Sequence, residues 1–193
     1  NMLSDKVLMF GGNSVICSNS VYDINDFISF DYIGSPWNTF QGRGGDGGIS
    51  LRSKSFMMKL LQWAKSEQNN KNNNNDLLKP SAGLEDHILM KRYETMLKLN
   101  LIERNQYKVA NKDDTYKFAA SGSHSSEHVW AASGTLPGLS DKERDAFIQT
   151  CPEIKIFYPS LSSPACFGSK VNPEKCGESI CAINHGPNYH GSC

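Results

Sequence analysis

The sequence predicts an α/β protein in which helices flank a mixed β-sheet. Two patterns predict this class: short segments with strand patterns alternate with segments of helical periodicity, and a glycine-rich turn joins a strand to a helix. Size is a third observation, because 193 residues with 38% hydrophobic content are enough for one globular core and a small appendage. Strands that alternate with helices are typical of a sheet covered by helices.

The first half of the chain supplies three predicted strands and two predicted helices. Val7–Phe10 and Ser14–Cys17 have extended patterns, and Asp23–Phe30 has helical spacing. Gly48–Arg52 follows as a strand. A helix is expected after Ser53, because a serine ahead of apolar residues at helical intervals is a good N-cap.

The middle of the chain contains an asparagine-rich insert at 68–83, where the low complexity predicts no packed structure. After the insert, Leu84–Asn100 has the clearest helical periodicity in the chain. Its first turn carries Glu85 and Asp86. Acidic side chains there interact favourably with the helix dipole, so this pair has a structural explanation as well as a functional one.

Three more elements are predicted towards the end of the α/β region. Tyr107–Ala110 and Tyr116–Ala120 have strand patterns on either side of an aspartate turn. A last helix is expected from Ser140 to about Cys151. Its start has a capping-box pattern, because Glu143 follows Ser140 by three residues.

The cysteines divide the chain into an α/β domain at 1–151 and an irregular, cysteine-rich tail at 152–193. Cys17 stands alone, and the other five of the six cysteines lie at 151, 166, 176, 181 and 193. Such a tail cannot build a core and is expected to hold disulfides, whose pairing the sequence leaves open. An oxidising compartment follows, which favours the secretory pathway or the extracellular space.

A structural zinc site is the alternative for the tail. Thiolates and imidazoles occur there at short spacings, at Cys176, Cys181, His185, His190 and Cys193. The spacings match no standard zinc finger. The chain also lacks an Asn-X-Ser/Thr glycosylation acceptor, which keeps a cytoplasmic location open.

Charge and hydropathy limit the classes of partner. Twenty basic and twenty acidic residues give a net charge of zero, so no global field attracts nucleic acid or an anionic membrane. No apolar run approaches the roughly 20 residues that span a bilayer. Because the chain starts almost directly with a predicted strand, an upstream domain, a longer precursor or a partner chain is expected.

A glycine cluster precedes the Gly48–Arg52 strand and predicts a ligand crevice. Glycines permit positive φ and let a ligand approach the backbone closely, which makes Gly45, Gly47 and Gly48, with Asp46 between them, candidate binding residues. The sequence argues against a standard phosphate-binding loop, because no Gly-Lys-Ser/Thr follows and the dinucleotide spacing is absent.

Three motifs, in this order, resemble a domain family of poorly characterised, glycosyltransferase-like proteins of the GT-A type. They are Asp-Tyr-Ile-Gly-Ser-Pro-Trp at 31–37, Gly-Asp-Gly-Gly-Ile-Ser-Leu-Arg-Ser at 45–53, and Leu-Glu-Asp-His at 84–87. The resemblance covers about Val7–Trp130 and leaves the tail unexplained.

The resemblance implies transfer of a sugar from a nucleotide-sugar donor to an acceptor hydroxyl of a saccharide or glycoprotein, with Mn²⁺ or Mg²⁺ as cofactor. Trp37 would stack on a sugar, and Asp86 or Glu85 would accept the hydroxyl proton. Arg52 would pair with a phosphate oxygen. Trp37 is explained equally well as a core residue, and Arg52 as a surface ion-pair partner.

Two departures from the family pattern support an alternative function. Asn13 stands where the family carries an aspartate that resembles half of its metal-binding motif, and an asparagine brings no charge to a cation. The family's upstream strands have no counterpart before Val7. His128, just ahead of Trp130, resembles a late metal ligand. The alternative is a catalytically degenerate saccharide-binding protein, or a structural or assembly protein stapled by disulfides.

Overall fold

The computed structural model describes residues 4–36, 43–69, 85–121, 128–133 and 141–157. These ranges contain the strands β1 (Lys6–Phe10), β2 (Ser14–Ile16), β3 (Tyr32–Ser35), β4 (Asp46–Ser53), β5 (Ala119–Ser121) and β6 (Ala131–Ser133). They also contain the helices α1 (Lys54–Asn69), α2 (Glu85–Lys98), α3 (Lys112–Phe118), α4 (Asp141–Thr150) and α5 (Ile154–Phe157). The protein is therefore mixed α/β, as the sequence predicts.

The strands form two small sheets rather than one. The first has the order β1-β4-β3 and is antiparallel throughout, with Leu8 opposite Leu51 and Ile33 opposite the same residue. The second has the order β2-β6-β5, in which β2 is antiparallel and β5 parallel to β6. The single mixed sheet expected from the sequence is thus divided into two three-stranded sheets, flanked by helices.

One serine links the two sheets at their facing ends. Ser14 begins β2, and its Oγ donates a hydrogen bond to the Gly48 carbonyl of β4 at 2.9 Å. The Gly11 amide donates to the same carbonyl at 2.7 Å, so the chain between β1 and β2 is fixed against β4. The glycines of β4 therefore lie where the two sheets meet.

Apolar packing explains why the helices cover the first sheet. The cluster beneath α1 and α2 includes Phe56 and Leu60 of α1 and Met90 and Tyr93 of α2, all buried. These residues recur at three- and four-residue intervals, which places them on one face of each helix. A second cluster, around Phe27, joins the other face of the first sheet to α3 and β6. The first cluster therefore attaches α1 and α2 to β3, and the second attaches α3 and β6 to β3 and β4.

The helix after Ser53 begins as predicted. Ser53 Oγ accepts a hydrogen bond from the Phe56 amide at 3.2 Å, which is the expected N-cap interaction. The helix at 84–100 is also confirmed, as α2, and the helix after Ser140 as α4. Ser140 itself lies outside the described residues, so its capping box stays a prediction.

Three local predictions are wrong. Tyr116–Ala120 is mostly helix α3, because Asn111 Oδ1 accepts from the Asp114 amide at 2.9 Å and caps a helix that the strand pattern concealed. Tyr107–Ala110 forms no strand and contributes only a parallel bridge between Val109 and Tyr32. Asp23–Phe30 contains a three-residue 3₁₀ turn, Ile24–Asp26, instead of a helix.

A disulfide joins Cys17, at the end of β2, to Cys151, at the end of α4. Both cysteines are buried in the cluster that packs α4 and α5 on the second sheet. The sequence predicted disulfides in the tail at 152–193, whereas this bond joins two cysteines of the region 1–151, so the pairing of the tail cysteines stays a prediction. The cysteines and histidines of the rest of the tail, and most of the asparagine-rich insert, lie outside the described residues.

None of the helices in the described parts of the chain is both long enough and apolar enough to cross a membrane.

Candidate functional site

A bulge at the start of β4 leaves the glycine block unpaired with β3. Ser35 of β3 pairs with Asp46, but the neighbouring Gly34 pairs with Ser50, so Gly47, Gly48 and Ile49 have no partner on β3. Bulges of this kind re-aim side chains and are frequent next to active sites. Asp46, Gly47 and Gly48 are each partly exposed as a result.

The loop that enters the bulge needs glycine. Gly45 has φ of +89°, and a Cβ placed on it would lie 2.5 Å from the carbonyl oxygens of Gly34 and Ser35. Any side chain at this position would therefore be strained and would clash with β3. Gly45 is buried, so it supports the turn and is not on the surface of the site. The sequence predicted instead that Gly45 lies along a ligand.

Polar groups surround Gly48 on the side of the second sheet. Asp46 Oδ1 accepts a hydrogen bond from the Gly48 amide at 2.7 Å. Ser133, the last residue of β6, directs its hydroxyl at the Gly48 Cα, where a Cβ would clash with it. Ser14 Oγ lies 3.3 Å from Ser133 Oγ. A carboxyl group and two hydroxyls thus converge on one glycine.

Charged groups surround Gly47 on the side of α2. Asp86 Oδ2 accepts a hydrogen bond from the Gly47 amide at 3.1 Å, and the Asp86 residue is only 3% exposed. The start of α2 therefore holds the glycine turn in place through Asp86. We call the residues gathered here the glycine site: Ser14, Asp46, Gly47, Gly48, Asp86 and Ser133.

Arg52 is a buried cation beside the glycine site. Its Nη2 lies 2.7 Å from Glu85 Oε1 and forms an ion pair whose angles do not fit a hydrogen bond. Its Nε donates a hydrogen bond to Ser50 Oγ at 2.8 Å. The guanidinium also lies 5.4 Å from the centroid of the Tyr32 ring. A Cβ on Gly47 would approach Nη2 within 3.0 Å, so the cation reaches the edge of the site.

The aspartate of the Asp-Tyr-Ile-Gly motif is structural. Asp31 Oδ2 accepts from the Lys108 amide at 2.8 Å, and Asp31 Oδ1 lies 3.4 Å from Lys6 Nζ. Tyr32 and Ile33 are fully buried in β3. These three residues therefore build the sheet beneath the site. Trp37, the predicted sugar platform, lies outside the described residues.

Electrostatics distinguish Asp46 from an ordinary surface carboxylate. Burial raises its pKa above the usual range, and the negative charge of Asp86 raises it further. The hydrogen bond from the Gly48 amide, the His87 side chain and the Ser35 hydroxyl act in the opposite direction, but the net effect is an increase in the pKa. Asp46 therefore retains a proton to higher pH than an exposed aspartate.

The two predicted metal ligands are not brought together. Asn13 precedes Ser14, which pairs with Ser133 at the end of β6, whereas His128 lies three residues before β6 begins. They lie at opposite ends of this strand. Among the residues that the structure describes, no three His, Cys, Asp or Glu side chains form a group that could hold a metal ion. Asn13 and His128 do not fit a resident divalent cation.

The sequence interpretation missed the serines of the site. Ser14, Ser121 and Ser133 lie side by side across the end of the second sheet, because Ser133 pairs with both of the others. The sequence contains a pattern that points to two of these serines, since Ala-Ala-Ser-Gly occurs at 119–122 and again at 131–134. Two identical segments with serine at the same position indicate strands with equivalent places in a sheet. Ser35 had no comparable signal.

The fold and the site place this protein in the mixed α/β class, with two small sheets that meet at a polar site lined by glycines. Its family follows from a family model described as "Protein of unknown function (DUF5672)", which matches residues 2–137, more than half of the 193-residue chain. The chain belongs to this family. No curated protein and no solved structure matches it.

Proposed function

We propose that this protein transfers a sugar from a nucleotide-sugar donor to an acceptor hydroxyl. The observation that carries the proposal is the glycine site, where the carboxyl groups of Asp46 and Asp86 and the hydroxyls of Ser14 and Ser133 meet around partly exposed backbone. A saccharide presents hydroxyls at short spacing, and such groups pair well with carboxylates, serines and backbone amides. The backbone of Gly47 and Gly48 is partly exposed, so its polar groups are open to a ligand at this surface.

The charges of the site support a phosphate-bearing donor. Arg52 is buried, so its charge acts in a medium of lower dielectric than water and is felt strongly at the edge of the site. Glu85 is its ion-pair partner, but the Glu85 side chain is 69% exposed and could turn away into solvent. Arg52 would then be available to a diphosphate oxygen. Glu85 acts in this proposal as a replaceable counter-ion.

Binding of a saccharide without turnover is the second candidate. Asp86, which the family resemblance suggests as the base, is almost fully buried and already accepts the Gly47 amide. Asp86 therefore has a structural role. Because its burial keeps it from a substrate hydroxyl, it favours a protein that binds a saccharide without turnover. The two candidates differ in a measurable way, since only the first releases a nucleoside diphosphate.

A thermal-shift experiment tests both candidates. The protein is heated with UDP-glucose, UDP-galactose, UDP-N-acetylglucosamine or GDP-mannose, each with and without Mn²⁺. A donor at 100 times its Kd should stabilise the native state by about 2.7 kcal/mol and raise the Tm by several degrees. Release of nucleoside diphosphate from the same donor supports transfer, and a shift without release supports binding alone. No shift with any donor, with or without Mn²⁺, contradicts both.

Arg52→Lys is the matching variant for the donor. Lysine keeps the charge but loses the planar donor geometry, so the shift caused by the nucleotide-sugar should decrease. Asp113→Asn is the control, because Asp113 is an exposed first-turn residue of α3 outside the glycine site. An unchanged shift in Arg52→Lys would remove Arg52 from the donor site.

A further inference from the structure

We infer that Asp46, rather than Asp86, accepts the proton of the acceptor hydroxyl, and that the buried hydroxyl of Ser35 positions the Asp46 carboxyl group. This inference rests on the proposed sugar transfer. It assigns two residues that motif resemblance does not: Asp46 was expected only to contact substrate, and Ser35 was not expected to contribute.

Accessibility separates the three acidic residues of the region. A catalytic base must come within hydrogen-bond distance of the hydroxyl that it deprotonates. Asp86 is 3% exposed, and one of its oxygens is occupied by the Gly47 amide. Glu85 is 69% exposed, and in the proposed function it turns away from the site when the donor replaces it beside Arg52. Asp46 is partly exposed, and the Gly48 amide binds only its Oδ1. Its Oδ2 has no bond to that amide and can face a ligand.

Ser35 is the second observation behind the assignment. The residue is 0% exposed, and within the described part of the chain its Oγ has no hydrogen-bond partner, which is costly for a buried hydroxyl. Ser35 and Asp46 are opposite each other on β3 and β4, so their side chains are neighbours. The hydroxyl lies close enough to the carboxyl to lower its pKa without reaching hydrogen-bond geometry. A small rotation of the Asp46 carboxyl would complete that bond.

The groups that face Asp46 act on its pKa in both directions, and the net effect is an increase. Burial and the Asp86 charge raise its pKa, while the Gly48 amide, His87 and Ser35 limit the increase. From the neighbouring elements, α2 therefore contributes Asp86 and His87, and β3 contributes Ser35. A carboxylate with a raised pKa takes a proton more strongly than an ordinary aspartate, and proton transfer contributes about 10²- to 10⁴-fold to a rate.

The proposed step balances as a displacement at the anomeric carbon. The acceptor oxygen forms a bond to this carbon while its proton moves to Asp46. The bond from the anomeric carbon to the diphosphate oxygen breaks, and its electron pair leaves with the nucleoside diphosphate. Water can replace the acceptor hydroxyl in the same step. Release of nucleoside diphosphate from the donor alone is therefore a usable assay when the acceptor is unknown.

The test compares Asp46→Asn, Asp86→Asn and Ser35→Ala, using the donor of the panel that gives the largest thermal shift. The side-chain oxygen of the new asparagine would still accept the Gly48 amide, so Asp46→Asn should keep its Tm and its donor-induced shift while kcat falls at least 100-fold. Asp86→Asn should lower kcat less than tenfold. Ser35→Ala should move the acidic limb of the kcat–pH profile to higher pH, because the group that lowers the pKa of Asp46 is lost.

A carboxyl-carbon NMR titration of Asp46 in the free protein gives a readout that does not depend on turnover. We expect a pKa above that of an exposed aspartate, and a further increase in Ser35→Ala. Asp113→Asn is the control for both measurements. The inference is overturned if Asp46→Asn retains kcat within threefold, if Asp86→Asn alone abolishes release, or if Ser35→Ala moves neither the limb nor the titration. In the first two cases sugar transfer itself stands. If the wild-type protein releases no nucleoside diphosphate, both the proposed sugar transfer and the assignment of Asp46 as its base are contradicted.

Discussion

At the scale of single residues, Gly48 shows why the site needs glycine. A Cβ at this position would clash with the Ser133 hydroxyl and would lie 2.9 Å from Asp46 Oδ1. Both neighbours are held by hydrogen bonds within the glycine site, so neither is free to give way. The absence of a side chain is what allows the first sheet to approach the second.

Gly48→Ala should therefore destabilise the fold, by about 1–3 kcal/mol, the usual cost of overpacking. Gly12→Ala is the matched control, because a Cβ on Gly12 meets no atom of the described residues within 4 Å. Urea unfolding of both variants measures the difference. Equal midpoints for the two would show that Ser133 moves aside without cost.

Adding Ser133→Ala to Gly48→Ala tests the mechanism directly. Removal of the hydroxyl opens space at the point of the clash, so the double variant should regain part of the lost stability. Its unfolding is measured in the same urea series. Strictly additive losses would place the conflict at Asp46 instead.

At the scale of elements, the start of α2 and the bulge of β4 depend on each other. Asp86 is an acidic residue in the first turn of α2, where it interacts favourably with the helix dipole, and it also accepts the Gly47 amide. The structural explanation that the sequence allowed for this residue is therefore correct. Whether it also takes part in chemistry is a separate question, which the kinetic variants address.

Asp86→Ala should lower the free energy of unfolding by about 1–3 kcal/mol, because it leaves the Gly47 amide without its acceptor. Asp86→Asn keeps an acceptor oxygen and should lose clearly less. Asp113→Ala, which removes an exposed first-turn acid from α3, serves as the control and should change stability by less than about 0.5 kcal/mol. Thermal and urea unfolding measure all three. An Asp86→Ala variant as stable as the wild type would contradict the link between α2 and the bulge.

Element predictions succeeded where periodicity and capping were clear, failed in α3 where the two conflicted, and missed the short strands β3 and β6. The helices α1 and α2 have long apolar repeats, and β4 ends at a serine cap. In α3, the apolar pattern of Tyr116–Ala120 suggested a strand, but the capping box of Asn111 and Asp114 starts a helix that reaches Phe118. Local hydrogen bonds at a cap outweigh a short hydrophobic pattern in such a segment.

At the scale of the whole molecule, the Cys17–Cys151 disulfide closes the chain around the second sheet. It spans 134 residues and lies in the cluster that attaches α4 and α5 to β2 and β6. Crosslinks across long loops restrict the unfolded chain strongly, and a native disulfide commonly contributes about 2–5 kcal/mol. The bond therefore connects the end of the α/β region to its beginning.

Cys17→Ser combined with Cys151→Ser should lower the free energy of unfolding, measured with urea, by an amount within that range. Reductant should lower the midpoint of the wild type towards that of the double variant, and any remaining effect of reductant on the variant reports the other cysteines. Peptide mapping without reduction should recover Cys17 linked to Cys151. A Cys17 peptide that is free, or linked to a tail cysteine, would contradict this pairing.

The sequence by itself determined the mixed α/β class, the strands β1, β2 and β4 and the helices α1, α2 and α4, because these depend on local periodicity and caps. It also indicated the glycine block as a candidate site, because glycines give the backbone freedom. The short strands β3 and β6 were not predicted. The tertiary structure decided the division into two sheets, the partner of Cys17, and the positions of Ser14, Ser35 and Ser133 around Asp46 and Gly48. Those features join residues up to 134 positions apart, and no local pattern specifies such pairings. The tertiary structure also decided how far each carboxyl group is buried. Asp86 is almost fully buried and accepts the Gly47 amide, while Asp46 in the same site is partly exposed.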